Sequence, residues 1–288
     1  MRITFCGVRG STPAPGAEYV RYGGSTSCVA IAHSAGSGGG GSAGPPPGLV
    51  LDAGTGLSAV TGLLDGEPFA GTILLTHLHW DHSLGLPFFR GGDHPGARVT
   101  LLLPGQRDGL SADTVLARVM SPPFFPITPS GLRGDWTFGA IEPGQFKAEG
   151  FTVEAREIPH KGGRTFGYRV SDGRCALAYV TDHCPTAYGP GPDGLGEYHP
   201  DALALASGAD VLVHDAQLLA EEVPAEASFG HAAAEYAVRL AELAGARQVV
   251  LFHHKPTRTD AQLDEVGRRF ASAPVPVTVA AEGMTIEL

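Results

Sequence analysis

The sequence predicts an α/β fold: two packed β-sheets, with helices covering both outer faces. Three observations lead there. Strand-length runs come in two batches, one in each half of the chain. Stretches with a helical apolar period are interspersed among them rather than gathered at one end. Several of the apolar runs finish on a histidine or an aspartate, so strand ends carry chemistry-bearing side chains.

In chain order, strands are expected near residues 2–6, 27–33, 48–52, 72–76 and 98–103. A second batch follows near 151–158, 166–171, 175–181, 210–214 and 248–253, with a final pair around 276–288. Helices are expected at 54–64, 106–119, 200–208, 232–244 and 260–272. The fourth of these shows its period plainly, with apolar residues at Ala233, Tyr236, Ala237, Leu240 and Leu243. Two connections stand out. Ser34 to Gly48 has too little side chain to order itself and reads as a mobile hairpin tip. Met120 to Ile127 is stiffened by proline and carries Phe124 and Phe125. It reads equally as a packing or dimer element, or as a lid over the site that stacks on a nucleobase.

The densest chemical signal is Thr76-His77-Leu78-His79-Trp80-Asp81-His82, directly after the apolar run Thr72-Ile73-Leu74-Leu75. Three histidines and an aspartate within six residues at the end of a buried strand are poorly explained by packing. Imidazole is the commonest neutral metal ligand, and a carboxylate adds a hard oxygen donor. In irregular backbone His77 and His79 can face one way while Asp81 and His82 face another, so one segment can serve two adjacent metals. Two metals need more ligands than this, and the chain offers them at strand ends. His160 follows Phe151–Pro159, Asp182 follows Ala176–Thr181, and His253 follows Val249–Phe252.

With these residues in place, the chain resembles the metallo-β-lactamase superfamily, whose His-x-His-x-Asp-His motif is present in full. The resemblance implies an αββα four-layer sandwich of two mixed sheets flanked by helices, built as a single domain over 1–288. It implies that His77, His79 and His160 hold one divalent ion, that Asp81, His82 and His253 hold a second, and that Asp182 bridges them. His254 competes with His253 for the last place, and the register of Leu251 to Pro256 favours His253. One branch is favoured. Phe5 to Pro13 and Val50 to Gly56 look like the glycine-rich loops of ribonuclease Z-like phosphodiesterases, and His160 with Gly167-Tyr168-Arg169 resembles their third-histidine motif. His214-Asp215-Ala216-Gln217 stands where that branch carries His-Glu-Ala-Thr, and His231 where it carries a second catalytic histidine.

That pair bears on the chemistry. Hydrolysis of a phosphodiester needs an activated water, charge neutralisation, and a proton for the leaving alkoxide. A metal-bound hydroxide, with Asp81 among its supporting ligands, meets the first need. His231 as general acid, oriented and made more basic by Asp215, meets the last. The start of a helix nearby opposes a cationic imidazole, an effect Asp215 has to outweigh. Acyl hydrolases of this scaffold, acting on lactones, thioesters or β-lactams, do without such a pair. They remain the alternative class, beside RNA 3′-processing and a metal-bound protein without hydrolytic activity.

Composition limits the partners. A net charge of −10 opposes stable nucleic-acid binding, whereas a small anionic diester is compatible, since two cations reverse the local sign. The tRNA-processing enzymes carry a long basic arm for which this sequence shows no insertion. A small phosphodiester, with a cyclic nucleotide foremost, is the expected substrate. Zn²⁺ suits the histidine-rich set, and Mn²⁺ or Fe²⁺ would also be accepted. Neither a secretory signal nor the roughly 20 apolar residues of a membrane span is seen. Cys6, Cys28, Cys175 and Cys184 show no CxxC spacing and read as reduced thiols, with Cys184 packing beside the site. A cytoplasmic protein is therefore expected, and relatives suggest a homodimer. His183, Arg164 and Lys161 are further candidates to touch a phosphate.

Overall fold

The computed structural model describes residues 1–34 and 44–288; residues 35–43 of the glycine-rich connection lie outside the described residues. The strands are β1 (Arg2–Gly7), β2 (Cys28–Ala32), β3 (Leu49–Leu51), β4 (Ala70–Leu74), β5 (Arg98–Pro104), β6 (Asp135–Ile141) and β7 (Gly144–Ala148). They continue as β8 (Phe151–Ile158), β9 (Thr165–Ser171), β10 (Ala176–Val180), β11 (Val211–Asp215), β12 (Val249–Phe252), β13 (Val277–Val279) and β14 (Thr285–Glu287). The helices are α1 (Leu57–Val60), α2 (Trp80–Ser83), α3 (Ala112–Ala117), α4 (Pro200–Ala206), α5 (Val223–Glu226), α6 (Ala234–Ala244) and α7 (Asp260–Arg269).

Among the described residues the strands make two seven-stranded mixed sheets. The first runs β14-β1-β2-β3-β4-β5-β6, antiparallel as far as β3 and parallel from β3 to β6. The second runs β13-β12-β11-β10-β9-β8-β7, parallel from β13 to β10 and antiparallel beyond.

The period of two along each strand builds the layers. Ile3, Phe5, Val29, Ile31, Leu49 and Leu51 of the first sheet meet Tyr168, Leu177, Tyr179, Val213, Val250 and Phe252 of the second in one buried core. The alternate residues face outward. Ala30, Val50 and Ile73 pack with Leu57, Val60 and Leu116 from α1 and α3. Ala178, Leu212 and Leu251 pack with Leu205 of α4 and with Tyr236 and Leu240 of α6. This is the four-layer αββα arrangement.

The differences from expectation have local causes. β6 and β7 carry no strong pattern because each closes a sheet edge and buries little, and between them the chain passes from one sheet to the other. Helices α2 and α5 are single turns, too short for a 3.6-residue period to show. The helix expected over 106–119 shrinks to α3, since Asp108 accepts from the Leu110 backbone N–H and turns the chain first. That expected over 54–64 divides into α1 and a 3₁₀ turn at Thr61–Leu63. What matters for chemistry is direction. The carboxyl ends of β4, β10, β11 and β12 all deliver side chains to one rim, the usual place for a site on parallel strands.

Candidate metal centre and its cleft

The rim gathers nine side chains. After β4 the chain bends at Thr76, His79 caps α2 in extended backbone, and Asp81 and His82 then lie on its single turn. The motif is thus half extended and half helical, which separates its two pairs of donors. His160 follows β8, Asp182 follows β10 and His253 follows β12. Asp182 and His253 sit in left-handed backbone, at φ of 52° and 58°. Such non-glycine conformations cost of order 1–3 kcal/mol each and persist where surrounding structure holds them.

Two donor clusters result, and Asp182 belongs to both. His77, His79, His160 and Asp182 form one; Asp81, His82, Asp182 and His253 form the other. In the second, the Asp182 Oδ2 lies 3.0 Å from His82 Nε2 and 3.2 Å from His253 Nε2. Those two imidazole nitrogens are themselves 3.2 Å apart, and Asp81 Oδ2 is 3.1 Å from His253 Nε2. In the first, Asp182 Oδ1 is 3.7 Å from His77 Nε2 and 3.6 Å from His160 Nε2, which is 3.3 Å from His79 Nδ1. Tetrahedral ligands at about 2.0–2.1 Å from zinc stand about 3.3 Å from each other. His77 Nε2 is buried with no hydrogen-bond partner. The donor set fits a pair of divalent cations.

Hydrogen bonds behind the clusters decide which nitrogen faces inward. His82 donates from Nδ1 to Asp52 at 2.9 Å, leaving Nε2 for the site. His160 donates from Nδ1 to the Gly230 carbonyl at 2.8 Å. His77 Nδ1 lies 3.0 Å from Thr76 Oγ1, which in turn donates to Asp52 at 2.9 Å. Asp52, wholly buried, also accepts from the Thr76 backbone and the Tyr179 hydroxyl. One carboxylate therefore orients two imidazoles. It stands in the Val50–Gly56 loop, and only the fold reveals its task. Asp52→Asn is expected to weaken divalent-metal affinity about 10–100-fold. Competition against a chromophoric chelator measures this, and unchanged affinity would make Asp52 purely architectural.

The charges respond to this crowding. Burial, with the neighbouring histidines, holds His77 well below its ordinary range, and burial takes His160 down to about 4 against the pull of Asp182. His82 goes the other way: burial opposes its charge, but Asp182, Asp81 and Asp52 raise it well above the usual value. Burial disfavours the Asp182 anion, yet His253, His82 and His77 hold it well below the carboxylate range.

Beside the clusters lies the Asp215–His231 pair. Asp215 ends β11, is wholly buried, and accepts from His231 Nδ1 at 3.0 Å. It also accepts from the backbone N–H groups of His183, Gln217 and Ala232. His231 precedes α6 by three residues. Burial opposes its charge, but the Asp215 anion and hydrogen bond, helped by Asp182 and Asp81, push it up to about 8. The helix-terminus objection is outweighed by a carboxylate in direct contact. Gly230, at φ +95°, lets the chain present its carbonyl to His160 and His231 to the cleft in consecutive residues.

A cleft of roughly 650 Å³ opens over these groups, lined by His79, Asp81, His160, Asp182 and His231. Its remaining wall includes Ser11, Gln217, Glu226, Lys255 and the exposed rings of Trp80 and Phe229. Ser11 donates its backbone N–H to Asp81 Oδ2 at 2.6 Å. At Gly10, a side chain would sit 2.4 Å from the His253 ring. The loop's glycine is therefore a matter of close approach.

Other candidates fall elsewhere. His254 points away, its Nε2 donating to the Ala280 carbonyl at 2.8 Å. Arg164 is occupied by Glu142, Glu157 and the Gly105 carbonyl, and His183 is buried against His214. Lys161 packs along Gly230 without lining the cleft. Cys184 is buried, Sγ against the Thr186 hydroxyl, and all four cysteines are free. Phe124 and Phe125 do not line the cleft, so their expected place over the metals is corrected: they wall an adjoining groove that meets the cleft at Trp80. Among the described residues no helix is long and apolar enough to cross a membrane.

Comparison with known proteins agrees with this architecture. The family model described as "Beta-lactamase superfamily domain" matches residues 49–254. A ribonuclease Z of Limosilactobacillus fermentum is 30% identical over 225 residues, covering 63% of this chain and 68% of that protein. A ribonuclease Z of Bacillus velezensis is 29% identical over 222 residues, with the same coverage of 63% and 68%. Among solved structures, the metallo-β-lactamase fold protein YhfI of Bacillus subtilis superposes with a TM-score of 0.69 at 18% identity, covering 99% of both chains. Human tRNase Z, short form, gives 0.60 at 21% identity over 100% of this chain and 99% of its own. At those identities the structural likeness speaks for the fold alone. The chain belongs to the metallo-β-lactamase superfamily, as a hydrolase related to the ribonuclease Z proteins.

Proposed function

We propose that this protein is a dinuclear metal-dependent phosphodiesterase acting on a small phosphodiester, a cyclic nucleotide foremost, with His231 as general acid. The observation that carries the reading is the buried Asp215–His231 pair beside two donor clusters that share Asp182. His77, His79 and His160 would hold one cation, Asp81, His82 and His253 the other, and Asp182 both. Zn²⁺ suits the imidazole-rich set, and Mn²⁺ or Fe²⁺ would also be accepted. Bound there, the two ions would supply activation of a water and neutralise charge on the phosphoryl oxygens.

The chain's own residues do the rest. Asp215 fixes the His231 tautomer by accepting from Nδ1, so the proton to be given away is on Nε2, facing the cleft. With cations in the cage, the fields of Asp182 and Asp81 are spent on them, and Asp215 remains the partner that favours the protonated form of His231. An alkoxide leaving group, too basic to depart unaided, takes that proton.

Substrate size follows from charge. The cleft's lysine, Lys255, is matched by Glu222 and Glu226 at 3.2 and 2.6 Å. No cationic track for a polynucleotide leads away from it among the described lining residues. The second reading, RNA 3′-end cleavage, is supported by relatives that carry the name ribonuclease Z. One panel separates the readings: 3′,5′- and 2′,3′-cyclic nucleotides, a nitrophenyl phosphodiester, a precursor tRNA, a lactone and a cephalosporin, given to Zn- and Mn-loaded protein. Turnover of the small diesters is expected. Turnover of precursor tRNA alone would replace the substrate, and turnover of the lactone or cephalosporin alone would make Asp215–His231 a structural pair.

A further inference from the structure

Next to the catalytic cleft lies a groove of roughly 550 Å³ walled by Trp80, Leu84, Leu86, Val119, Met120 and Phe124. Its charged lining residue is Arg118, which is paired with Asp108 at the rim. Trp80 lines both cavities. The exposure there is unusual for one patch: Trp80 is 71% exposed, Phe124 80% and Leu84 48%. Singly exposed apolar residues are ordinary, but a contiguous group beside a site marks a binding surface. Phe125 also lines the groove, edge-on to Phe88 at 5.9 Å.

The position of Trp80 ties this surface to the chemistry. It stands between His79 and Asp81 in the chain, so its Cα is fixed beside two donors of the cage while its ring lines both the cleft and the groove. A diester whose phosphate lies over that cage must direct an organic substituent out of the cleft. The cleft's own wall mixes Gln217, Glu226, Lys255 and Thr257 with the exposed ring of Phe229. The groove beyond Trp80 is walled almost wholly by apolar and aromatic side chains. We propose that the groove is the subsite for a planar aromatic substituent of the substrate, a nucleobase or a ring of similar size, held between Trp80 and Phe124. This deepens the phosphodiesterase reading and rests on it for the location of the phosphate. Aromatic faces accept any base without its hydrogen-bond pattern, so the subsite would select for flatness over base identity.

The test has an arm independent of turnover. The chain has two tryptophans, so Trp136→Phe leaves Trp80 as the sole indole reporter. Should that variant fold poorly, the difference between wild type and Trp80→Phe isolates the same signal. Titration with adenosine monophosphate is expected to change Trp80 fluorescence saturably, phenyl phosphate less strongly, and ribose 5-phosphate not at all. Phe124→Ala is expected to weaken the adenosine monophosphate response about 5-fold or more. In turnover, the same variant is expected to raise KM for adenosine 2′,3′-cyclic phosphate by a similar factor while leaving a base-free cyclic ribose phosphate unchanged. A saturable response without diester turnover would keep the subsite and remove the phosphodiesterase reading. Diester turnover with no fluorescence response, and with equal KM changes for both substrates, would overturn the subsite. A shift in oligomeric state on Phe124→Ala, again without response, would overturn it in favour of contact between copies of the chain.

Discussion

Asp182→Ala is expected to lose metal and activity together. Bound divalent metal should fall from two ions per chain towards none, and kcat/KM for any diester should fall by about 10³-fold or more. A metal supplies several kcal/mol of transition-state stabilisation, and each 1.4 kcal/mol is about tenfold in rate. The reason is geometric. The two Asp182 oxygens face different clusters, Oδ1 towards His77 and His160, Oδ2 towards His82 and His253. Removing the carboxylate also leaves His82, whose charge Asp182 supports most, beside His253 at 3.2 Å. Asp182→Asn keeps the volume and separates a folding defect from a binding defect. Elemental analysis and circular dichroism on both variants make the measurement. Retention of two tightly bound ions in Asp182→Ala would mean that it is not a shared ligand.

His231→Ala is expected to do the opposite with metal: both ions stay, and activity falls selectively. General acid catalysis is worth roughly 10²–10⁴-fold, and the full loss should appear with alkoxide leaving groups such as a ribose hydroxyl. A nitrophenolate departs without a proton, so nitrophenyl diesters should be nearly unaffected. The pH profile gives a second signature. An acid must be protonated to act, so rate should fall as pH rises through the His231 pKa of the metal-loaded enzyme, which Asp215 raises against the effect of burial. That alkaline limb should vanish in His231→Ala. Asp215→Asn should move it to lower pH, since the anion that sustains the charge is gone. Metal loss from His231→Ala would instead place His231 among the ligands, a possibility its nearness to Asp215 and His253 makes worth measuring.

Much of this site is legible in the linear sequence for a simple reason. Donor residues that close a buried strand are conspicuous against the apolar run before them, as His77 is after Leu74-Leu75 and His253 after Leu251-Phe252. The supporting residues lack that contrast. Asp52 looks like one more polar residue in a glycine-rich loop until Tyr179, 127 positions away, and His82 both turn towards it. Ser11 contributes only a backbone N–H, which no side-chain pattern announces. Phe124 was legible as an aromatic feature, but its place beside the cleft instead of above it depends on how the segment after α3 lies against Phe88.

The sequence by itself determined the layered α/β class, most of the strands and which residues are the candidate donors, because hydrophobic period and residue chemistry are local properties. The tertiary structure decided the edge strands β6 and β7, whose partners lie on one side only and whose patterns are correspondingly weak. It also decided which of two adjacent histidines faces the cage. His253, held at positive φ, points its Nε2 inward, while His254 is turned to the Ala280 carbonyl. Convergence of side chains as far apart as Asp81 and His253, 172 residues from each other, is set by strand pairing and sheet packing, and those are contacts that local period cannot encode.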